Sequence, residues 1–274
     1  MKEHAIIFSP EMVKSTLADR KTMTRRIVGL DLINEDPNDW QFEWFDYKVG
    51  YAFTQKSTIN ANTLSNGSFN QAFIKCPYGN AADNDLLFVR ENWRPYLRGD
   101  GADGFKRLIQ FTADGYELQV PNSNIEWFER VEGMGYKQRP SIHLPKFGSR
   151  IWLQVENVKV QRLQDISESD AKAEGIREVY HRNDLLTIRF NNYLMADSLC
   201  ETAKLSFMTL WASIHGTESW NSNPWVWAIS YKVKSRTGKP IQCTGNCGMN
   251  YCDDNGCIER KRNVVDQILT PNPS

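Results

Sequence analysis

The chain is predicted to be α+β: a small mixed β-barrel with helices packed at its ends. Three observations lead there. Strand signals outnumber helix signals and are not interleaved with them at regular intervals, which excludes a doubly wound sheet. The two best-delimited later helices, 167–175 and 198–216, each begin on a capping hydroxyl and stop at a glycine. A strand of alternating Trp225, Trp227, Ile229, Tyr231 and Val233 follows the second of them. The 274 residues suffice for one large domain with insertions.

The elements follow in order. Ser9 fits an N-cap, Pro10 the first helical position, and Glu11 complements the helix dipole. Met12, Val13, Thr16 and Leu17 form one apolar stripe, and the helix should stop near Ala18 or Asp19. Arg20, Lys21, Thr22, Met23, Thr24, Arg25 and Arg26 come next, and the β-branched pair Thr22 and Thr24 starts a strand. In that strand Thr22, Thr24 and Arg26 share one face, and Met23 and Arg25 the other. Lys21 joins the face of Thr24 only if it stands in the turn before the strand. The aromatic run Trp40, Phe42, Trp44, Phe45 and Tyr47 reads as a strand or hairpin arm, and residues 54–70 as a long polar loop. Residues 85–91 are a buried strand, with Glu91, Trp93 and Arg94 at its exit. Leu108, Ile109 and Phe111 mark a further strand, 113–140 a surface insertion, and 140–145 an extended segment pinned by two prolines around His143. Residues 149–163 carry the longest strand signal, whose parity changes at Glu156–Asn157 and calls for a bulge. Ser167 caps a short helix that Gly175 ends. Ser198 with Glu201 is a capping box for a helix with Leu199, Ala203, Phe207, Leu210, Trp211 and Ile214 on its buried stripe.

Composition bounds the function. Basic and acidic residues balance at 33 each, so no global field draws the chain along nucleic acid, and any such contact needs a local patch. No apolar run is long enough to cross a membrane and no leader of the signal-peptide kind is present. A cytoplasmic protein is therefore expected, and for such a protein the cluster of cysteines at the end of the chain points to metal before disulfides. Cys243, Cys247, Cys252 and Cys257 are the four thiolates of that tail, 236–274, with Gly245, Gly248 and Gly256 between and around them. Four thiolates can close a tetrahedral zinc site, and the reading is a zinc knuckle, with a pair of disulfides or a disordered tail with free thiols as the alternatives.

Several of these segments together resemble a known family. Lys21 to Arg26 after a capped helix, the strand Asp85 to Arg90, and Asp170 to Gly175 resemble ASCH domains of the PUA-like superfamily, small β-barrels associated with RNA and modified bases. Residues 140–145, Ser149 to Ile151, Leu163 to Ile166 and Asn223 to Trp227 are similar to ASCH proteins of phages and prophages, which places the chain in a host cytoplasm if it is phage-encoded. The resemblance covers about residues 5–233 and implies a domain over 1–235 with insertions at about 30–82 and 95–140. One branch of the superfamily deacylates N4-acetylcytidine with a lysine, a threonine three residues on, and a glutamate from a later helix. Lys21, Thr24 and Glu174 match that pattern, although the chain is far longer than those enzymes.

The chemistry such residues can carry is definite. A threonine hydroxyl needs a base to attack at neutral pH, and a lysine can serve if burial and neighbouring cations depress its pKa. Glu174 could protonate a leaving amine or orient the lysine. Arg25 and Arg26 are the adjacent cations, with Glu91 to accept from a base amino group and Trp93 to stack on its ring. Each has a plainer reading: Lys21 and Glu174 as an ion pair tying helix to strand, Thr24 as a ladder residue, Glu91 and Trp93 as a strand end. Three functions stay open here: hydrolysis of an N-acylated base, reading of RNA or a modified base without turnover, and a phage assembly factor that uses the fold as a scaffold. The proposed chemistry requires no cofactor, and the sequence leaves the oligomeric state undetermined.

Overall fold

The computed structural model describes residues 1–58, 70–99, 104–181 and 184–240, with the backbone of 252–253 and 256–257. Its elements are β1 (Glu3–Ile7), α1 (Pro10–Leu17), β2 (Met23–Arg26), α2 (Asp31–Asn34), β3 (Trp40–Asp46), β4 (Gly50–Gln55), β5 (Gln71–Ile74), β6 (Leu86–Arg90), β7 (Trp93–Gly99), β8 (Phe105–Phe111), β9 (Glu117–Gln119), α3 (Ile125–Glu132), β10 (Trp152–Arg162), α4 (Glu168–Ala173), β11 (Glu178–His181), β12 (Asp184–Asn191), β13 (Leu199–Cys200), α5 (Ala203–His215), α6 (Thr217–Asn221) and β14 (Trp225–Ser235). The architecture is α+β, as expected.

The central sheet has the order β1-β6-β10-β14-β2, parallel at β1–β6 and antiparallel at its other three pairings. The expected closed barrel is not found: β1 and β2 are edges with no ladder between them. They nevertheless approach, because Arg26 of β2 donates to the carbonyl of Ile7 on β1 at 2.9 Å. The link between them holds α1 and a turn. The bulge foreseen at Glu156 is present, with the β10–β14 register shifting between Val155 and Asn157.

Both faces of the central sheet are covered, since adjacent residues of β14 enter different cores. Trp225, Trp227, Ile229 and Tyr231 belong to one core with Phe8, Val13, Tyr51 and Phe53. Val226 belongs to another with Leu163, Ala171, Phe207 and Trp211. The segments read as insertions fold into sheets of their own. The hairpin β3–β4 with β5 packs Tyr51 edge-on to Trp227 at 4.7 Å and Phe53 to Trp225 at 5.4 Å. The β7–β8–β9 sheet with α3 closes a third core around Trp93, Ile109, Phe111 and Phe128.

Two local expectations change. The cap of α5 is Thr202, whose hydroxyl accepts from the Leu205 amide at 3.1 Å, and not Ser198. Leu199 belongs to β13 paired with β12, so strand pairing claims the residues that a capping box at Ser198 would need. The proline-flanked segment is two short 3-10 turns, Ser141–His143 and Lys146–Gly148, rather than extended chain. Extended backbone is kept at the two prolines, with ψ of 149° and 157°, and the chain turns directly after each.

Candidate functional site

Local sequence explains how Lys21 and Glu174 meet. Ser167 caps α4 by accepting from the Asp170 amide, and six residues later the helix ends. Gly175 turns the chain away with φ +91°, a left-handed conformation that favours glycine. A Cβ there would stand 3.0 Å from both Lys21 Cβ and Ser15 Oγ, so glycine also permits the close approach of α4 to the end of α1. The Thr22 amide then donates to the Ala173 carbonyl at 2.8 Å, and Lys21 and Glu174 form an antiparallel bridge.

The side chains build a buried ionic network on this stitch. Lys21 Nζ donates to Glu174 Oε2 at 2.7 Å and to the Glu174 carbonyl at 2.9 Å. Arg25 Nη1 donates to Glu174 Oε1 at 3.1 Å, and its Nη2 to Asp170 at 2.8 Å. Burial drives the Lys21 pKa down and Glu174 only partly offsets it, with Arg26 and Arg25 adding to the fall. Arg25 also lies over the Phe207 ring, 5.7 Å from its centroid.

This network forms part of the wall of a cavity of about 200 Å³. The cavity lies between the α1 side (Ser9, Glu11, Met12, Ser15), the α5 face (Phe207, Leu210, Trp211, Ile214, His215), and the chain around Lys21, Arg25, Arg26 and Glu174. Arg20, Arg177, Asn191 and Tyr193 complete the lining with Gly175. His215 packs against Trp211 with ring centroids 4.4 Å apart and planes tilted by 36°, and burial and then Arg26 hold its pKa below the usual imidazole value.

Of the residues singled out from sequence, Lys21, Glu174, Arg25 and Arg26 line this one cavity, and Thr24 does not. Thr24 stands directly opposite Ile229 and so faces the core that holds Ile229, Phe8 and Tyr231. It is fully buried and its hydroxyl has no partner among the described residues. The two-residue repeat of β2 sends Arg25 toward Glu174 and Thr24 to the other face.

Glu91 and Trp93 lie away from this cavity. Glu91 is 1 % exposed and accepts from Arg150 Nε and Nη2, both at 2.8 Å. Arg150 also reaches Asp114 at 2.9 Å and lies over the rings of Phe111 and Tyr116, at 4.5 and 4.9 Å from their centroids. Burial opposes ionisation of Asp114, yet the Arg150 bond outweighs it and the carboxyl sits below its ordinary value. Trp93 is 1 % exposed and stacks on Trp127 at 5.4 Å. Trp93 belongs to the core under β7–β9 and Glu91 is buried on Arg150 beside it, because the chain after β6 continues into a new strand instead of ending at a rim.

Asp170, Arg177, Tyr193 and His215 were not read as site residues. Phe207 and Trp211 were legible as a stripe four residues apart, which becomes the aromatic wall as well as core. Tyr193 carries no local signal. In the tail, the backbones of Cys252–Asp253 and Gly256–Cys257 pair antiparallel with Cys252 opposite Cys257, while Cys243 and Cys247 lie outside the described residues. No helix among the described residues is long and apolar enough to cross a membrane. No family model, curated protein or solved structure matches this chain.

Proposed function

We propose that the chain binds a nucleobase or nucleoside in the cavity between α1, α4 and α5. The observation that carries the reading is a buried ionic network, Lys21–Glu174–Arg25, set beside the rings of Phe207, Trp211 and Tyr193. A flat heteroaromatic ring asks for both, a surface to stack on and donors and acceptors at its edge. The small volume suits a single base or nucleoside. The reading takes the chain as an ASCH-type, PUA-like protein, supported by the ordered motifs at 21–26, 85–90 and 170–175.

Titration with the four ribonucleosides and with N4-acetylcytidine tests it. A saturable change in tryptophan fluorescence is expected, diminished by Trp211→Phe. Calorimetry that detects no binding of any of the five would end the proposal.

A second reading, hydrolysis of an N-acyl amide on such a base, is favoured by the lowered pKa of Lys21 beside a carboxylate. Because Thr24 faces the core, water is the attacking oxygen in this reading. Neutral Lys21 takes a proton from water as its oxygen attacks the acyl carbon, and the tetrahedral intermediate breaks its C–N bond. The proton then passes to the departing amine, yielding a free carboxylic acid and the exocyclic amine. Acetate release from N4-acetylcytidine should fall about a hundredfold or more in Lys21→Ala. The rate should rise with pH as Lys21 loses its proton, with the limb below the ordinary lysine value of 10.5. Binding without acetate release would leave the first reading and remove the second.

For the tail we propose one zinc held by Cys243, Cys247, Cys252 and Cys257, supported by four cysteines within fifteen residues. Protein purified without chelator should contain one zinc per chain and four thiols that alkylate after its removal. Two disulfides by mass, with no metal, would contradict it.

A further inference from the structure

We infer that the ligand of this cavity carries a phosphate beside its base, an inference that rests on the nucleobase reading. Five cations line the cavity, Arg20, Lys21, Arg25, Arg26 and Arg177, against the carboxylates Glu11 and Glu174. The network accounts for only two of them: Lys21 and Arg25 are neutralised by Glu174 and Asp170. Glu11 is engaged by Lys14 at 2.9 Å. Among the described residues Arg26 bonds only to neutral groups, the carbonyls of Arg25 and Ile7 at 3.1 and 2.9 Å and the Met12 sulfur at 4.0 Å, and lies over the Phe8 ring at 5.8 Å. Arg20 and Arg177 are exposed at the rim, and no carboxylate among the described residues pairs with them or with Arg26.

Three guanidinium groups thus line one cavity with no carboxylate partner among the described residues, which leaves a local excess of positive charge there. A neutral base does not offset it. A phosphate does: it brings about −1.5 to −2 charges at neutral pH and oxygens matched to the planar fork of arginine. A second observation points the same way. The Nε–H of Arg25 is buried without an acceptor among the described residues, and Arg25 lines the cavity, so an acceptor on the ligand would complete it. Phosphate at the arginines and ring against Phe207 and Trp211 describe one molecule, a nucleotide, either free or as a unit of a strand.

The test compares each ribonucleoside with its 5′-monophosphate, with inorganic phosphate, and with a 5′-phosphorylated trinucleotide, all on the full chain. The monophosphate is expected to bind roughly tenfold to a hundredfold more tightly than its nucleoside, with an advantage that shrinks as salt is added. In an Arg20→Gln/Arg177→Gln double variant the ratio of the two affinities should fall toward one. Both side chains are exposed, so the variant tests binding without risking the fold. Arg26→Gln adds to the loss if it folds. A trinucleotide that outbinds the monophosphate assigns the phosphate to a strand, and one that does not assigns it to a free nucleotide; either supports the inference. Equal binding of nucleoside and monophosphate, or an unchanged ratio in the double variant, overturns the inference and leaves the nucleobase reading standing. Binding of none of these, or of inorganic phosphate as tightly as of the nucleotide, overturns both.

Discussion

Glu174→Ala is expected to cost about 3–5 kcal/mol of stability and to lower Tm by on the order of 10 °C. The carboxylate is the shared acceptor of Lys21 and Arg25, and the three side chains are 5 %, 1 % and 0 % exposed. Its removal leaves two cations in a desolvated place, with only Asp170 left to answer one of them. The counterpart substitution should behave differently. Lys21→Met deletes a cation that burial already disfavours and leaves Glu174 paired with Arg25, so its loss should be clearly smaller. Thermal and urea unfolding of the three proteins measure this. If Glu174→Ala costs under about 1 kcal/mol, the network is screened by solvent, and neither the lowered lysine pKa nor a dry binding site can be maintained.

The second large effect lies away from the cavity. Arg150→Ala should also destabilise by about 3–5 kcal/mol, because it strands the buried Glu91 and removes the cation held against Phe111 and Tyr116. The loss carries a pH signature. Burial raises the Glu91 pKa even with Arg150 in place, and raises it further without it. An acid whose folded pKa exceeds its unfolded value, about 4.3, holds more protons when folded, so stability improves as pH falls through the folded pKa. The gap between wild type and variant should therefore narrow between pH 7 and 5. Replacing the pair together, Glu91→Leu with Arg150→Met, should cost less than Arg150→Ala alone, since no buried charge is then left unpaired and Asp114, its side chain 35 % exposed, keeps access to water. Unfolding curves for the single and double variants at both pH values decide it, and a pH-independent gap would show that Glu91 is not the group left behind.

Legibility differed sharply along the chain. The cap of α1 at Ser9, with Pro10 next, could be read directly, because the bonds involved span three residues. The same is true of α4, capped by Ser167 and closed by Gly175. The strands β1 and β5 and the pair β11–β12 escaped notice. Each of β1, β5 and β11 is short, four or five residues, and is held as strand by a partner that local pattern does not name. The insertion at 95–140 read as surface, yet it builds a core on Trp93 and Phe128, because α3 supplies an apolar face that packs with residues of β7 and β8.

What the sequence determined by itself is therefore what neighbouring residues decide among themselves: the α+β class, the limits of α1 and α4, the alternation of β10 and β14, and the bulge between Val155 and Asn157. The family resemblance, and not local pattern, singled out Glu174 beside Lys21, and the fold brings the two to 2.7 Å across 153 positions of chain. Tertiary structure alone decided the open edge between β1 and β2, the assignment of Glu91 to Arg150, and the side of the strand from which each residue acts. Thr24 and Arg25 show the physical reason. They are adjacent in sequence and chemically suited to the same site, but they stand on opposite faces of the strand, and the packing around it buries short Thr24 in the core while Arg26, on the same face, is long enough to reach past Phe8 into the cavity lining.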